Sequence, residues 1–294
     1  MKGKTQYFDT RQTMHTPGFE IFHYRDDSPA SVHLHHHDYY EIYFLISGRM
    51  EYLIEGRNYQ LIPGDMLLIS PMELHQPIIN AELEVFERIV LWVDREFMKK
   101  HSTEHYDLSQ CFARCTAEYS ANLLHPTPTQ WADITLRLEE LLRERSIQDI
   151  GSKQYEEGVL LQLLVEIDRL ALRNKRPVAE SSDETSLIAQ VLAYVNAHYG
   201  ENIPLERLAQ HFYISKYHLA HEFKRVFGIS LHQYIILKRL LIAKQMISGG
   251  TPVGVAATNC GFSPNSTILR FISFKYSLSG TTPFLTKNSL FPIG

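Results

Sequence analysis

A helix–turn–helix pattern occurs twice in the C-terminal third of the chain, and this repeat limits the possible folds more than any other feature. In the first copy, Leu208 and Ala209 supply an inner apolar face, residues 212–214 form a turn, and Ser215 can cap a second helix. In the second copy Ser263 takes the same place, 48 residues later. Paired short helices joined by tight turns predict an all-α domain with two helix-turn-helix units.

The second helix of each unit contains the candidates for DNA contact, because that helix is the one that enters the major groove. Lysines can neutralise phosphates, whereas Tyr217 and His221 can reach base edges or thymine methyl groups. The predicted DNA-binding residues are Lys216, Tyr217, Ala220, His221 and Lys224 in the first unit and Asn265, Ser266, Thr267 and Arg270 in the second.

Formal charge is unevenly distributed along the chain. The whole chain carries −4, but residues 185–294 contain 10 Lys and Arg against 3 Asp and Glu, or +7, which leaves −11 for residues 1–184. A basic C-terminal third is expected of a domain that meets phosphates. A merely basic surface is the alternative, and charge alone does not distinguish the two.

Residues 19–92 have a different pattern, in which apolar and polar residues alternate in short runs. The turn signals Ser47-Gly48, Glu55-Gly56 and Pro63-Gly64-Asp65 separate these runs by roughly eight residues. This spacing is typical of antiparallel strands in a sandwich or barrel.

Two helices are predicted after a loop at residues 126–130, and each has an apolar stripe. The stripes are Trp131, Ile134, Leu138, Leu141 and Leu142 in the first helix and Tyr155, Val159, Leu160, Leu163, Leu164, Ile167 and Leu170 in the second. Such stripes form either core or a dimer seam. Residues 174–184 are polar, contain Pro and Ser, and predict an exposed linker.

The C-terminal region resembles the AraC/XylS family of transcription regulators, whose DNA-binding domain joins two helix-turn-helix units by one long helix. The residues that carry the likeness are Leu208-Ala209, Ser215, Leu219, Phe223-Lys224, Gly228, Tyr234, Arg239-Leu240, Ala243, Ala257, Cys260-Gly261-Phe262-Ser263 and Arg270. The resemblance implies two recognition helices on one face of DNA and favours a dimer seam for the middle helices. The chain departs from the family pattern at Ile272, Ser273, Ser277 and Gly280, so the end of the second unit is expected to pack differently.

The N-terminal half resembles the cupin barrels through the spacing H-x-H-x3-E-x6-G in residues 35–48, followed by Pro63-Gly64-Asp65 and His75. In enzymatic cupins such residues hold a catalytic metal, and His and Glu together suit Fe, Mn, Ni or Zn. In AraC-type sensor domains the same barrel usually holds a small organic effector. A third interpretation is that the histidines only line a polar barrel mouth.

Effector lining without a metal is the favoured interpretation of this cluster. The predicted effector-binding residues are His35, His37, Glu41, Tyr43 and His75, and the candidate divalent-metal ligands are His35, His37, Glu41 and His75. Additional polar and aromatic surface suited to a sugar or similar small polar molecule comes from Tyr39, Tyr40, Glu73 and Arg88.

A chain of 294 residues accommodates two domains. We predict an α+β multidomain protein with a cupin-like effector-binding barrel at 1–125, a dimerising helical pair at 126–173, a linker at 174–184 and a double helix-turn-helix domain at 185–294. It is expected to be an effector-controlled transcription regulator and not an enzyme; the alternative is a metal-dependent cupin oxygenase or isomerase with a helical accessory domain.

The expected partners are promoter DNA, a small polar effector and a second copy in a homodimer, with RNA polymerase added if the protein is an activator. No membrane partner is expected, because no apolar run approaches the ~20 residues that span a bilayer. The first 20 residues also lack the apolar core of a secretory signal, and the predicted location is the cytoplasm.

Overall fold

The computed structural model describes residues 11–26, 32, 34–78, 86–112, 122–147, 149–173 and 187–263. The chain forms two compact units, Met1–Gln190 and Val191–Gly294. The predicted α+β multidomain class is confirmed, with strands in the first unit and helices throughout the described part of the second. The predicted linker at 174–184 lies outside the described residues.

Two antiparallel sheets form the barrel of the first unit. One has the strand order β1-β7-β2-β5-β8 and the other β4-β3-β6. The three predicted turns hold Gly48, Gly56 and Gly64 at positive φ, where a residue without Cβ is least strained. The strands are β1 Phe19–Asp26, β2 Tyr40–Ser47, β3 Met50–Ile54, β4 Arg57–Leu61, β5 Met66–Ile69, β6 His75–Ile78, β7 Phe86–Val93 and β8 Leu123–Leu124.

The five-stranded sheet is buried on both faces. Along β2, Ile42 and Phe44 join an outer core, while Tyr43 and Leu45 join an inner core shared with the second sheet. This division follows from the period of two along a strand. Glu41 therefore lies on the inner side of the barrel.

The helices that accompany the strands in the described part of this unit are α1 Arg95–His101, α2 Pro128–Ile147 and α3 Ser152–Arg173. The predicted stripes of α2 and α3 supply Ile134, Leu138, Leu160 and Leu163 to the outer core against the sheet. These positions of the stripes are therefore core, so a dimer seam would need other residues of the helical pair.

The second unit is built from short helices around one long helix. They are α4 Leu187–His198, which begins just before the division between the units, α5 Leu205–His211, α6 Lys216–Phe227, α7 Leu231–Ser248 and α8 Val253–Asn259. Ser215 caps α6 as predicted, because its side chain accepts a hydrogen bond from the backbone N–H of His218. The bounds of α5 and α8 lie 48 residues apart at both ends, so the structure repeats the sequence pattern.

The turn after α5 is a Schellman motif. The backbone N–H of Ile214 donates to the carbonyl of Ala209 at 2.9 Å, and that of Tyr213 donates to the carbonyl of Gln210 at 3.2 Å. In such a turn the residue after the helix C-cap adopts the left-handed conformation, and this residue is usually glycine. Here that residue is Tyr213, with φ of 55°.

The turn after α8 repeats this motif with Gly261 at φ of 76°. A Cβ on Gly261 would lie 2.6 Å from the carbonyl oxygen of Gly200, so only glycine fits this close approach. The guanidinium of Arg239, on α7, joins the two segments by donating to the carbonyls of Tyr199 at 2.6 Å and Gly261 at 3.2 Å. The long helix thus fixes the turn that follows α8.

Among the described residues, no single helix has the length and apolar character needed to cross a membrane. The bent pair of α6 and α7 meets those criteria only when its two helices are taken together.

Candidate functional site

Three of the predicted effector residues converge inside the barrel. One ligand atom from each of His37, Glu41 and His75 lies within 4.8 Å of the other two, and all three residues are buried. Glu41 lies on β2, His75 begins β6, and His37 lies in the segment before β2. We call these three residues the barrel cluster.

Both histidines of the cluster have the same orientation. The Nδ1–H of His37 donates to the carbonyl of Tyr39 at 2.8 Å, and that of His75 donates to the carbonyl of Glu73 at 2.8 Å. A donor at Nδ1 leaves Nε2 of the neutral ring with a lone pair. The Nε2 atom of His75 is buried without a hydrogen bond to a described residue, whereas that of His37 lies against the carboxylate of Glu41. One acceptor atom thus points into the barrel beside the pair of His37 and Glu41.

Glu41 adds negative charge to the cluster. Its Oε2 lies 3.2 Å from Nε2 of His37 and accepts a hydrogen bond of 2.8 Å from the indole N–H of Trp92. Burial alone would raise the pKa of Glu41, but hydrogen bonding to His37 and the charges of His37 and His35 lower it below its usual value. Glu41 is therefore ionised at neutral pH.

Electrostatics keep His75 neutral. Burial is the largest cause that lowers its pKa well below the usual value, and the neighbouring His35 and His37 lower it further. A neutral imidazole retains the Nε2 lone pair that a cation or a hydroxyl proton would need.

The other residues predicted near the cluster take different positions. His35 pairs with His75 through two backbone hydrogen bonds of 3.0 Å, and their ring centroids lie 4.2 Å apart, but His35 is not one of the three converging ligands. Tyr43 lies on the inner face, and Tyr39 stacks on His37 at 3.9 Å. The hydroxyl of Tyr39 is buried without a hydrogen bond to a described residue.

Tyr40 and Glu73 do not add the binding surface that the sequence suggested. The ring of Tyr40 lies on the outer face, 4.6 Å from Phe112, because alternate residues of β2 face opposite ways. The carboxylate of Glu73 accepts from the backbone N–H of Ser70 at 2.7 Å and so closes a turn. Arg88 is buried over the rings of Tyr24 and Phe86 on the inner side.

Sequence reasoning missed Trp92. Along β7, Trp92 alternates with residues of the outer core, so its side chain belongs to the inner core. Its place beside Glu41, however, depends on the pairing of β2 with β7. No local pattern reports which strands are neighbours.

The outer face of α6 presents most of the predicted DNA-binding residues. Tyr217 is 78% exposed and the side chain of His221 is 77% exposed, while Leu219 and Phe223 are buried on the opposite face. Ala220 is half-buried. The predicted contacts of the second unit, Asn265, Ser266, Thr267 and Arg270, lie outside the described residues, as does its departure from the family pattern at 272–280.

Ion pairs moderate the charges on this face. Lys216 lies 3.1 Å from Glu206, and Glu222 pairs with Arg225 at 2.8 Å and with His221 at 3.4 Å. Exposed pairs of this kind are weak, so phosphates can displace them. Lys224 is exposed and has no ion pair with another described residue.

Family models match both units of the chain. A model described as a helix-turn-helix domain matches residues 208–281, and a model described as an AraC-like ligand binding domain matches residues 16–192, more than half of the chain. The chain belongs to the AraC family of transcription regulators. It is thus a DNA-binding regulator with an N-terminal ligand-binding domain, and the cupin-enzyme alternative is set aside.

Curated relatives agree with membership of the AraC family. The chain is 26% identical over 245 residues to the uncharacterized HTH-type transcriptional regulator YbfI of Bacillus subtilis, covering 79% of each protein. It is 24% identical over 235 residues to the HTH-type transcriptional activator RhaS of Escherichia fergusonii, covering 79% of this chain and 80% of the relative. Both are regulators, which confirms the prediction that the chain is not an enzyme.

The chain also resembles solved structures at low sequence identity. ToxT from Vibrio cholerae is 12% identical with a TM-score of 0.35, over 84% of this chain and 90% of that one. This score is too low to support a conclusion about ligand or mechanism.

Proposed function

We propose that this AraC-family regulator binds a small polar effector at the barrel cluster and promoter DNA through α6 and its counterpart in the second helix-turn-helix unit. One observation carries the effector half of the proposal: the Nε2 atom of His75 is buried without a hydrogen-bond partner among the described residues, beside the carboxylate of Glu41. Leaving such an acceptor unsatisfied costs stability, so a bound group that satisfies it is the simplest explanation.

The chemistry of the cluster selects what it binds. The imidazole lone pair of His75 and the carboxylate of Glu41 accept hydrogen bonds, and the carboxylate repels anions, so the effector should donate hydrogen bonds. Hydroxyl groups meet this requirement, and the surrounding aromatic side chains suit the apolar face of a sugar. A small polyhydroxylated molecule is therefore our first candidate.

A divalent metal ion is the second candidate. Metal-bound histidines donate their other ring N–H to a carbonyl or carboxylate, as His37 and His75 do here. Two nitrogens and one carboxylate oxygen would hold such an ion, and it would supply positive charge between Glu41 and the histidines. An ion would also satisfy both Nε2 atoms at once.

His75→Asn tests the effector site. Asparagine can keep the hydrogen bond to the carbonyl of Glu73 while removing Nε2, so the fold should be retained. In a thermal-shift screen against sugars and polyols, a compound that stabilises the wild type should bind the variant about 10–100-fold more weakly. DNA affinity without effector should not change.

The exposed His15→Asn is the matched control for this experiment and should bind like the wild type. If the hit compound stabilises His75→Asn as well as the wild type, the barrel cluster is not the effector site. Unfolding of His75→Asn without ligand would favour a purely structural role for the histidines.

We propose that Tyr217 and His221 contact bases and that Lys216 and Lys224 contact phosphates. His221→Ala should cost about 1–3 kcal/mol of binding free energy at the cognate site and relax the preference at one base position.

Lys224→Ala should weaken binding to all sequences equally and flatten the salt slope by about one unit. Binding to a library of duplexes measures both. A uniform loss across sequences for His221→Ala would refute the base-contact assignment.

A homodimer formed by α2 and α3 is also part of the proposal. Large apolar side chains are exposed on the helical pair and between its two helices: Leu136 at 54%, Ile147 at 54% and Tyr155 at 46% on the helices, and Ile150 at 101% between them. Ile150→Asp should weaken the dimer about 10–100-fold, because a buried isoleucine contributes roughly 1.5–3 kcal/mol. Sedimentation velocity measures the change, with the exposed Lys153→Ala as control; a monomeric wild type would contradict the proposal.

The remaining proposals are coarser. We retain the predicted boundaries 1–125, 126–173, 174–184 and 185–294 and a cytoplasmic location, as DNA binding requires. One relative is named a transcriptional activator, and RNA polymerase would be a partner if this chain also activates.

A further inference from the structure

Tyr213 adopts a backbone conformation that tyrosine rarely takes. Its φ of 55° lies in the left-handed region, where Cβ crowds the following carbonyl. The residue is 96% exposed, and its side chain has no hydrogen-bond or ring partner among the described residues. Packing therefore gives no compensation for the strain.

The internal repeat shows that this turn does not require a tyrosine. The equivalent residue in the second unit is Gly261, which adopts the same conformation without strain. The close approach of Gly200 explains the glycine at 261, whereas Tyr213 is almost fully exposed. Glycine or asparagine would suit position 213 better. Strain that the fold does not need is a reason to look for a function.

The surroundings of Tyr213 indicate its partner. It precedes the Ser215 cap of α6 by two residues, and the exposed Tyr217 is the second residue of that helix. The ammonium group of Lys216 lies 5.6 Å from the ring of Tyr217, and Lys224 is exposed farther along the helix. This face combines aromatic rings with cations, which suits a polyanion.

We propose that Tyr213 contacts the sugar–phosphate backbone of DNA, with its hydroxyl donating to a phosphate oxygen at the edge of the major groove. The inference rests on the proposed function, in which α6 lies in that groove. A residue in the turn before the recognition helix lies beside the groove wall and away from the base edges. Contacts of this kind position the protein without reading sequence.

Tyr213→Asn in the full-length chain tests the contact, with a mixed-sequence DNA duplex as the probe. Affinity should fall about 5–20-fold, because a hydrogen bond to a charged phosphate is lost. The salt slope should stay unchanged, since tyrosine is neutral and releases no counterion. The melting temperature should be at least that of the wild type, because asparagine tolerates the left-handed conformation. Stability and affinity would then change in opposite directions.

Tyr213→Phe separates the hydroxyl from the ring and should lose affinity to a similar degree. Lys224→Ala is the comparison variant, and it alone should flatten the salt slope. If wild-type chain binds the duplex and both Tyr213 variants bind within about twofold of it, the contact is overturned and the proposed function stands. If the wild type does not bind DNA at all, both fail. Unchanged DNA affinity with reduced transcription would assign Tyr213 to a protein partner and overturn the DNA contact.

Discussion

DNA affinity of the full chain should fall about 10²–10³-fold when salt rises from about 50 to about 200 mM, if four to six Lys and Arg side chains contact phosphates. Each contact releases a condensed counterion, and that release becomes less favourable as salt rises. The basic segment 185–294, at +7, holds the candidates, including Lys216 and Lys224 on the exposed face of α6. A fluorescence anisotropy titration at several salt concentrations gives the slope directly.

Residues 1–172 provide the control for this experiment, because they carry the acidic share of the charge and contain no helix-turn-helix unit. This fragment should not bind DNA at any of the salt concentrations. A full chain whose affinity is independent of salt, or a fragment that binds as tightly as the full chain, would show that phosphates are not contacted by the C-terminal unit.

A divalent ion, if it is the ligand of the barrel cluster, should raise the unfolding temperature by about 5–10 °C. An ion at a hundredfold excess over its Kd adds about 2.7 kcal/mol to the free energy of unfolding. In a unit of this size, that increase raises the unfolding temperature by the stated amount. The Nε2 atoms of His37 and His75 and a carboxylate oxygen of Glu41 lie within 4.8 Å of one another and would hold the ion, and Glu41 supplies the charge. Zn²⁺, Ni²⁺ and Mn²⁺ added separately to metal-free protein in a scanning calorimeter would measure the shift.

His75→Asn should remove most of this metal-induced shift, because it removes one ligand atom while keeping the hydrogen bond to the carbonyl of Glu73. His15→Asn should keep the full shift, because His15 is exposed and belongs to no cluster among the described residues. An equal shift in wild type and His75→Asn would place the metal elsewhere. Absence of a shift with all three ions would leave the hydroxyl-rich effector as the candidate.

Local patterns in the sequence predicted the fold class because they report local physics. Glycines at Gly48, Gly56 and Gly64 predicted turns, and the structure holds each at positive φ. Ser215 predicted the start of α6 because a cap satisfies backbone N–H groups within one turn. The sequence could not show whether the apolar stripes on α2 and α3 form core or a dimer seam, because both uses place apolar residues at the same helical spacing.

The candidate site was predictable where its residues belong to a recognisable motif. His37 and Glu41 belong to the first cupin-like motif and His75 follows the second, and the structure brings the three together. Trp92 was missed because its place beside Glu41 depends on strand pairing across the sheet. Tyr40 was placed on the wrong face because the sequence did not show which alternation of β2 points inward.

The hydrogen bond between Trp92 and Glu41 makes the barrel observable by optical spectroscopy. The chain has two tryptophans, and the second, Trp131, lies on α2. Replacing Trp131 by phenylalanine would leave a single tryptophan, whose indole N–H touches the carboxylate of the cluster at 2.8 Å. Any molecule or ion that draws charge from that carboxylate would change the emission of Trp92. The protein thus contains its own probe, with which candidate effectors can be ranked without a label and without knowing which DNA it binds.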